Sequence, residues 1–387
     1  MLNIKGTFED MIEIVNENGL DGMFEVMQVL FNHAMQIERS KALQAAPYQR
    51  SATRRGYANG FKPKGVNTRI GKLHLQIPQV RGDVEFYPSS LEKGLRSERA
   101  LKIALSEMYI KGVSTRKTKD IMEHLCGFEV SATQVSEASK ALDTSLEQWR
   151  QRPLDVEYPY VYLDAQYQKV RIGGMVQDVA LLLAIGVSQQ GKRSVLGISV
   201  ADSEAKVHWH TFLESLKNRG LQGVELIISD NHSGLASARK RVFSGIAWQR
   251  CQFHLQQNAG HYVTKQPLKE KISWEIKKIF NSQNSTEAQL RLTEVLEKYK
   301  KSQPKLVDWL EENLPEGFTV FHFPKEHRKR LRTTNPLERL NREIKRRTKT
   351  ISIFPNEASL LRLASALLVE QDEVWSTQIL PYLTFEN

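Results

Sequence analysis

The sequence predicts an α/β fold, in which a mixed-sheet core follows a mainly helical region that contains a β-hairpin. Two observations carry this prediction. Apolar residues recur at helical spacing through the first 46 residues and again after residue 97. Beyond Pro159, apolar runs of strand length alternate with amphipathic stretches, as in a sheet flanked by helices. A chain of 387 residues has room for two or three such regions.

The first region, 1–95, is predicted to contain helices, a basic arm and the hairpin. Helical spacing covers 3–46, and the acid-free stretch 47–64 contains glycines and prolines, which indicates a loop or arm. Apolar and polar residues then alternate in 73–77 and again in 84–86. Because a Gly-Asp pair lies between these two segments, we expect them to pair as a β-hairpin.

The second region, 96–150, is predicted to hold three short helices. The first two cover about 98–111 and 115–125, and the third opens at Ser131 with a capping box that includes Gln134. Three helices with such breaks fit a helix-turn-helix unit that binds DNA. A plain three-helix packing module fits the same pattern.

The third region, 151–387, has the element order of a ribonuclease H-like core: three strands in a meander, a helix, a strand, a helix and a further strand. We predict these elements at 160–163, 176–188, 194–200, 204–219, 224–228, 233–243 and 246–250. A helical insertion, 255–320, interrupts the core, and helices at about 336–349 and 356–373 follow it.

The positive charge of the chain is concentrated in two windows. There are 55 Lys and Arg residues against 44 Asp and Glu, a formal net charge of +11. Nine basic residues and no acid lie between Lys41 and Gly82, and eleven basic residues and three acids lie between Phe321 and Thr350. The rest of the chain is therefore net acidic. Two such windows indicate a polyanionic partner, although solvated basic faces would give the same pattern.

The composition excludes several classes of protein. No apolar run approaches the roughly 18 residues that cross a bilayer, and the N-terminus lacks the apolar stretch of a signal peptide. Two cysteines cannot build a disulfide framework, and the sequence contains no Cys-x-x-Cys pair and no Walker-type phosphate loop. We therefore expect a soluble, cytoplasmic protein with no membrane contact and no small-molecule cofactor.

Two aspartates end predicted strands of the third region. Asp164 follows one apolar run and Asp230 follows another. A carboxylate at the C-terminal end of a strand sits at the mouth of an α/β sheet, where active sites form. Two such groups on neighbouring strands repel each other unless a cation is bound, and their hard oxygens favour Mg²⁺ or Mn²⁺. The alternative is that each aspartate begins a turn or caps a helix.

A third carboxylate is needed for such a metal site, and three candidates are present. Glu338 lies in the first turn of a helix that begins near Asn335, in a strongly basic segment that suits a phosphodiester substrate. Its spacing from Asn335 also fits a capping box, and its spacing from Arg342 fits an i,i+4 ion pair. Glu343 is the fallback, and it points about 140° away from Glu338 on the same helix. Glu204 is interpreted as a helix cap.

Cys251 and His254 offer two possible metal ligands at close spacing. A zinc site needs four protein ligands, or three and a water, and no second pair follows nearby in the sequence. We therefore interpret Cys251 as a packing residue and His254 as a hydrogen-bonding residue close to the site.

Several longer segments are distinctive as a set. They are Arg54-Arg-Gly-Tyr57, Gly71-Lys-Leu-His-Leu-Gln-Ile-Pro78, Val161-Tyr-Leu-Asp164-Ala-Gln-Tyr167, Ile228-Ser-Asp230-Asn-His-Ser-Gly-Leu235, Trp248-Gln-Arg-Cys251-Gln-Phe-His254 and Thr333-Thr-Asn-Pro-Leu-Glu338-Arg-Leu-Asn341-Arg-Glu-Ile-Lys-Arg-Arg347. In this order they resemble the Mutator-type transposases of bacterial insertion sequences, and the resemblance covers essentially the whole chain. Each motif alone is weak, whereas the ordered set is highly specific.

The resemblance implies a ribonuclease H-like core with an Asp-Asp-Glu triad and a helical insertion before the glutamate. Carried over by motif, the triad is Asp164, Asp230 and Glu338, which would hold two Mg²⁺ ions, with Mn²⁺ as a substitute. The family's Cys-x-x-His element falls on Cys251 and His254. We therefore expect a DNA transposase that cleaves a phosphodiester at the end of its element and joins the free 3′-hydroxyl to a second DNA.

The expected partners are double-stranded DNA, both as terminal inverted repeats and as target, and a second copy of the chain in a homodimer on DNA. We expect the protein to be associated with the bacterial nucleoid. Base readout is expected from the third helix of the second region, near Gln134. The other expected nucleic-acid-binding residues are Arg54, Arg55, Lys62, Lys64, Arg69, Arg116, Arg339, Arg342, Lys345, Arg346 and Arg347.

Two other functions would use part of the same pattern. A sequence-specific DNA-binding regulator without catalysis explains the charge and the helix-turn-helix-like unit, but it leaves the three carboxylates without a role. A ribonuclease H-like nuclease without strand transfer uses the same triad, but it has no need to bind specific DNA ends.

Overall fold

The computed structural model describes residues 4–68, 71–82, 84–91, 99–111, 113, 115–126, 128–140 and 142–385. In these ranges, every helix is too short or too polar to serve as a membrane span. The chain divides into two compact units, Met1–Leu142 and Asp143–Asn387.

The first unit begins with two helices and a two-stranded antiparallel sheet. These elements are α1 (Ile4–Asn18), α2 (Met23–Leu43), β1 (Tyr57–Thr68) and β2 (Gly71–Arg81). Leu73, Leu75 and Ile77 occupy alternate positions of β2, and all three are buried together with Met35 of α2. The alternating pattern therefore gives one face of β2 to the core and the other to solvent.

The predicted hairpin is correct in one strand and wrong in the other. Strand β2 pairs with β1, with Lys64 opposite Leu75, and not with 84–86. The predicted arm 47–64 therefore becomes a strand from Tyr57 onward. Its glycines and its proline disfavour a strand on local propensity, but β1 is an edge strand that β2 holds through the backbone ladder. Asp83 of the predicted turn lies outside the described residues.

Three helices complete the first unit: α3 (Arg99–Ile110), α4 (Thr115–Cys126) and α5 (Ala132–Lys140). They enclose a small core that includes Leu105, Met122 and Val135. The predicted capping box is confirmed, because the Ser131 N–H donates to Gln134 Oε1 at 2.8 Å and the Gln134 N–H donates to Ser131 Oγ at 3.2 Å.

The second unit contains a mixed five-stranded sheet. Its strands are β3 (Tyr160–Ile172), β4 (Met175–Val187), β5 (Arg193–Ala201), β6 (Leu226–Ser229) and β7 (Ala247–Arg250). Their spatial order is β5-β4-β3-β6-β7, with the β3–β4 and β4–β5 pairs antiparallel and β6 and β7 parallel to β3. This confirms the predicted α/β class and the predicted strand sequence.

Helices surround the sheet and form the insertion. They are α6 (Asp143–Arg150), α7 (Lys206–Asn218), α8 (Ser233–Val242), α9 (Gln252–Ala259), α10 (Gln266–Phe280), α11 (Ser285–Tyr299), α12 (Pro304–Asn313), α13 (Lys325–Leu331), α14 (Asn335–Thr348) and α15 (Glu357–Ser376). Helix α6, which falls within the predicted region 96–150, lies in the second unit, where Arg362 of α15 donates to both carboxylate oxygens of Asp143 at 2.6 and 2.8 Å.

The two faces of β3 point to different surroundings. Val161 and Leu163 pack with Trp209 and Leu213 of α7 in the main apolar core. The alternate residues face α13 and α14: the Tyr162 hydroxyl donates to the carbonyl of Arg330, and the next residue on that face, Asp164, contacts α14. Helices α9–α12 have a separate apolar core, so the insertion packs largely on itself.

Candidate active site

Asp164 and Asp230 lie side by side at neighbouring parallel strands. The prediction that Asp164 ends its strand is wrong, because β3 continues through pairing with β4 to Ile172, whereas Asp230 directly follows β6. The β3–β6 register pairs Tyr160 with Leu226 and Tyr162 with Ile228, and each aspartate follows two residues after the last of these partners. Buried apolar runs precede both residues, so the sheet fixes the backbone up to the point where each carboxylate emerges. The structure thus brings together the two aspartates that the sequence selects.

Burial dominates the electrostatics of Asp164. It raises the pKa of this carboxyl group to about 6, and the nearby carboxylates of Asp230 and Glu338 act in the same direction. His254 opposes this shift through its positive charge. One Asp164 oxygen, Oδ2, accepts a hydrogen bond from Asn341 Nδ2 at 2.8 Å. The site therefore concentrates negative charge that the described residues compensate only in part.

Asp230 is the more exposed of the two aspartates. Its Oδ1 atom accepts a hydrogen bond from the backbone N–H of Asn231 at 2.8 Å and lies 3.9 Å from Arg250 Nε. The same arginine donates from Nη1 to Asn313 and Glu316 of the insertion, both at 2.8 Å. Arg250 therefore links Asp230 to the helical insertion.

Glu338 reaches the site from the first turn of α14. Thr334 and not Asn335 is the N-cap residue, one position earlier than predicted, and Pro336 lies in the first turn. Glu338 Oε1 is buried and has no hydrogen-bond partner in the described parts of the chain. The alternative assignment of Glu338 as the acid of a capping box with Asn335 is therefore wrong.

Glu343, the fallback for the third carboxylate, is held elsewhere. Its Oε1 accepts hydrogen bonds from Arg346 Nη2 at 2.6 Å and from Arg347 Nε at 2.9 Å. The hydrogen bond from Arg346 is the largest of the influences that lower its pKa to about 2. Glu343 is thus an ionised partner of two arginines one turn beyond the site.

Glu204 does not cap a helix, contrary to the prediction. Helix α7 begins two residues later, and its N-cap residue, Ala205, has no side chain that can cap it. Glu204 Oε2 instead lies 3.7 Å from His232 Nδ1. These residues line a cavity of about 320 Å³ that also includes Tyr167 and Lys206.

Cys251 and His254 lie next to Glu338. Their ligand atoms and a Glu338 carboxylate oxygen lie within 4.8 Å of one another. The sulfur of Cys251 is fully buried and accepts hydrogen bonds from the backbone N–H and the hydroxyl of Thr334, both at 3.5 Å. Contact with Cys251 raises the pKa of His254 to about 9, against the effect of burial. An imidazolium beside three carboxylates fits the supporting role expected for His254.

A second group of expected DNA contacts lies in the first unit. Lys62 and Lys64 of β1 line a cavity of about 720 Å³, together with Lys72, Tyr87 and Gln134. Lys64 Nζ donates to the Tyr87 hydroxyl at 2.8 Å. Because the Gln134 side chain closes the capping box, its carbonyl oxygen is already engaged. Lys72 was not selected from the sequence, although it lies in the acid-free window.

The remaining residues expected to contact DNA differ in whether their side chains are free to do so or already bind other protein groups. Arg54 donates to the carbonyls of Gln49 and Gly56, at 2.6 and 3.0 Å, so part of its guanidinium orders the loop before β1. Arg55 is exposed. On α14, Arg346 and Arg347 pair with Glu343, while Arg339, Arg342 and Lys345 are exposed. Arg69 and the side chain of Arg116 lie outside the described residues.

Two polar residues at the site were missed from the sequence. Asn341 lies three positions after Glu338 on α14, and this spacing puts both on one helix face, which was the available signal. Gln166 lies two positions after Asp164 on the same face of β3, and neither of its buried amide atoms has a hydrogen-bond partner among the residues that the structure describes. Alternation along the strand was the available signal for Gln166.

Known proteins resemble the chain over nearly its whole length. The family model described as "Transposase, Mutator family" matches residues 4–378. The transposase for insertion sequence element IS406 of Burkholderia multivorans is 54% identical over 363 residues, which are 93% of this chain and 93% of that protein. The transposase for insertion sequence element ISRM5 of Rhizobium meliloti is 41% identical over 355 residues, 92% of this chain and 89% of that protein.

A third relative is less similar in sequence but is matched over a comparable share of its length. The transposase for insertion sequence element IS256 in transposon Tn4001 of Staphylococcus aureus is 37% identical over 365 residues, 94% of this chain and 93% of that protein. The resemblance first seen in short motifs is thus confirmed over about nine-tenths of the length of these relatives. The chain belongs to the Mutator family of transposases.

Proposed function

We propose that this DNA transposase cleaves the ends of an insertion sequence at a metal centre formed by Asp164, Asp230 and Glu338. The observation that carries the proposal is the meeting of three carboxyl groups from β3, β6 and α14, in which a buried Glu338 oxygen has no protein partner among the described residues. An unpaired buried carboxylate oxygen is costly unless it is paired with a cation.

The donor set fits Mg²⁺, with Mn²⁺ as the substitute. Hard carboxylate oxygens suit these ions, and the charge on Asp164, Asp230 and Glu338 is what a divalent cation would compensate. When bound, two such ions would supply charge stabilisation for the attacking and leaving oxygens of a phosphodiester. Cys251 and His254 would be a softer ligand pair, but the Cys251 sulfur already accepts two hydrogen bonds from Thr334.

We infer that the core of the second unit is ribonuclease H-like. In support of this, the first three strands form an antiparallel meander, and the fourth and fifth strands lie parallel to the first on its other side. The insertion separates the fifth strand from α14, so the third carboxylate enters from outside the sheet. This topology favours one active site where β6 ends beside Asp164 of β3.

The proposed reaction has two steps at phosphorus. Water attacks a phosphodiester at the end of the element, and the bond to the 3′-oxygen breaks, which leaves a 3′-hydroxyl and a 5′-phosphate. That hydroxyl then attacks a phosphodiester of the second DNA and displaces a new 3′-hydroxyl. The reaction forms no covalent protein–DNA bond, and the exposed residues Arg339, Arg342 and Lys345 are suited to bind the phosphates nearby.

We propose that the first unit binds the terminal inverted repeats. The cavity beside β1 supports this, because Lys62, Lys64 and Lys72 line it and none of the described residues that line it is acidic. Residues near Gln134 on α5 are proposed for base readout, with Arg54, Arg55, Arg69 and Arg116 as further phosphate contacts. Because two element ends must be processed together, we propose a homodimer on DNA.

The test of the metal centre compares two glutamates of the same helix. Glu338→Gln and Glu343→Gln each remove one negative charge from α14 with almost no change in volume. With labelled DNA that carries an element end, Mg²⁺-dependent cleavage to a 3′-hydroxyl should be lost in the first variant and kept in the second. End binding, measured separately, should remain in both variants.

The outcomes separate the proposal from its alternatives. Normal cleavage by Glu338→Gln would remove Glu338 from the metal centre. Specific end binding with no cleavage by the wild type under any metal condition would favour a DNA-binding regulator. Cleaved ends without any joined product would favour a nuclease without strand transfer.

A further inference from the structure

The amide side chain of Asn341 is directed at the carboxylate of Asp164. Asn341 is buried on α14, and its Nδ2 donates to Asp164 Oδ2 at 2.8 Å. An ionised carboxylate accepts hydrogen bonds and cannot donate them, so the amide nitrogen must be the atom that faces it. This contact joins two elements that are far apart in the sequence, β3 and α14.

The same helix turn carries Glu338, three residues earlier. Residues three apart lie on one face of a helix, so the hydrogen bond from Asn341 and the carboxylate of Glu338 approach Asp164 from the same side. The other amide atom, Asn341 Oδ1, is buried without a hydrogen-bond partner in the described parts of the chain. A buried amide that is only half satisfied lowers stability, so packing alone does not account for an asparagine here.

The hydrogen bond occupies one Asp164 oxygen and restricts rotation of the carboxylate. A carboxylate with one oxygen fixed by an amide presents the other oxygen in a defined direction. Groups that orient metal ligands in this way typically change metal affinity or activity by about 10–100-fold when they are removed. We propose that Asn341 is a positioning residue, which orients Asp164 for the metal ion.

This inference rests on the proposed metal centre, so the experiment must distinguish an error in the role of Asn341 from an error in the metal centre itself. The probe is Mn²⁺ alone, titrated into the full-length protein by calorimetry without DNA. The variants are Asn341→Leu, which keeps the volume and removes the donor, and Asp164→Ala as the reference for a lost ligand. Asn335→Leu is the matched control, because it makes the same change at an exposed position of the same helix.

We expect Asp164→Ala to abolish the Mn²⁺ binding seen in the wild type and Asn341→Leu to weaken it by about 10–100-fold. Asn335→Leu should bind Mn²⁺ like the wild type. In DNA cleavage, Asn341→Leu should raise the Mg²⁺ concentration for half-maximal rate, and saturating Mg²⁺ should restore most of the rate. A merely structural role would lower the rate at every Mg²⁺ concentration.

One result would contradict the proposed metal centre, and another would contradict only the proposed role of Asn341. If Asp164→Ala leaves Mn²⁺ binding unchanged, the proposed metal centre is wrong. If Asp164→Ala abolishes binding and Asn341→Leu binds Mn²⁺ like the wild type, the centre stands and the role of Asn341 is overturned. Should the leucine variant fail to fold, Asn341→Ala makes the same comparison, because it also lacks the donor.

Discussion

At the scale of single residues, Asp164 shows the conflict between stability and function most clearly. Burial is the largest influence that raises its pKa to about 6, from an ordinary value of 3.8. Below the ordinary value the group is neutral in both the folded and the unfolded chain. As pH rises through 6, ionisation favours the unfolded chain, and the stability that the neutral group provided is lost.

Asp164→Asn should therefore stabilise the metal-free protein at neutral and alkaline pH. The neutral amide avoids the cost of a buried charge and can still accept the hydrogen bond from Asn341. Because one pKa unit corresponds to about 1.4 kcal/mol, the gain in the free energy of unfolding is expected on the order of 3 kcal/mol. Urea unfolding in the presence of EDTA at about pH 8 measures this difference.

The same comparison at about pH 3 is the control, because the wild-type carboxyl group is then largely protonated in both the folded and the unfolded chain, and the two proteins should unfold alike. Mg²⁺ should add stability to the wild type and little to the variant. Equal or lower stability of Asp164→Asn at about pH 8 would show that the buried carboxylate is adequately compensated by the protein itself.

At the scale of elements, the sequence predicted the strands of the second unit because their apolar runs are continuous. Strands β4 and β6 are buried over most of their length, and this pattern is readable without a partner. Strand β1 is the opposite case. It is exposed or half-buried throughout, so its conformation depends on the ladder to β2 and not on its own residues.

The candidate site likewise contains residues that the sequence alone indicates and residues whose role depends on the fold. Asp164 and Asp230 were selected because each follows an apolar run, although only Asp230 lies at the end of its strand, since β3 continues to Ile172. Glu338 could be selected over Glu343 only through the family resemblance, since both fit the helix. The spacing of Asn341 from Glu338 puts both on one face of α14, but the contact of Asn341 with Asp164 of β3 depends on the fold and is not visible in the sequence.

The C-terminal segment, residues 381–385, packs so closely against Gly191 that only a glycine fits there. Gly191, in the turn between β4 and β5, has φ +74°, and a Cβ atom built on it would lie 1.7 Å from the carbonyl oxygen of Leu383. The Gly191 carbonyl also accepts a hydrogen bond from the Tyr382 N–H at 2.8 Å. Further along, Phe385 stacks on Tyr160, with 5.4 Å between the ring centroids.

Gly191→Ala should displace this segment. Gly245→Ala is the matched control, because Gly245 also has a positive φ, +82°, but a Cβ there meets nothing within 4 Å. Gly245→Ala should lower the free energy of unfolding only by the cost of a left-handed backbone conformation, about 1–2 kcal/mol. Gly191→Ala should cost more, and carboxypeptidase digestion followed by mass spectrometry should release the C-terminal residues faster. Equal digestion of the two variants would contradict the steric account.

At the scale of the whole molecule, the positive charge should appear in the salt dependence of DNA binding. Each phosphate neutralised by a lysine contributes about 0.9 to the slope of log affinity against log salt concentration. Lys62→Ala should therefore flatten the slope by about 0.9, and the double variant with Lys64→Ala by about 1.8. Filter binding to an element end over a range of salt concentrations measures both.

The control for this prediction is a lysine whose charge is already compensated. Lys300 lies in the helical insertion and pairs with Glu297 at 3.0 Å. Lys300→Ala should leave the slope unchanged. An equal effect of Lys62→Ala and Lys300→Ala would mean that overall charge, and not the cavity beside β1, governs binding to the DNA.

The proposed homodimer makes a prediction that depends on how many subunits process a pair of ends. Glu338→Gln subunits should still bind DNA, so they should enter mixed assemblies with the wild type. If each of two subunits cleaves one end, total cleavage counted over both ends should fall in proportion to the wild-type fraction. Products cut at both ends should fall as the square of that fraction, because both subunits must then be active.

The experiment mixes the two proteins before DNA is added and resolves singly and doubly cut products on a gel. A fall of the doubly cut products in simple proportion to the wild-type fraction would show that one subunit acts on both ends in turn, which a single active site of three carboxylates would also permit.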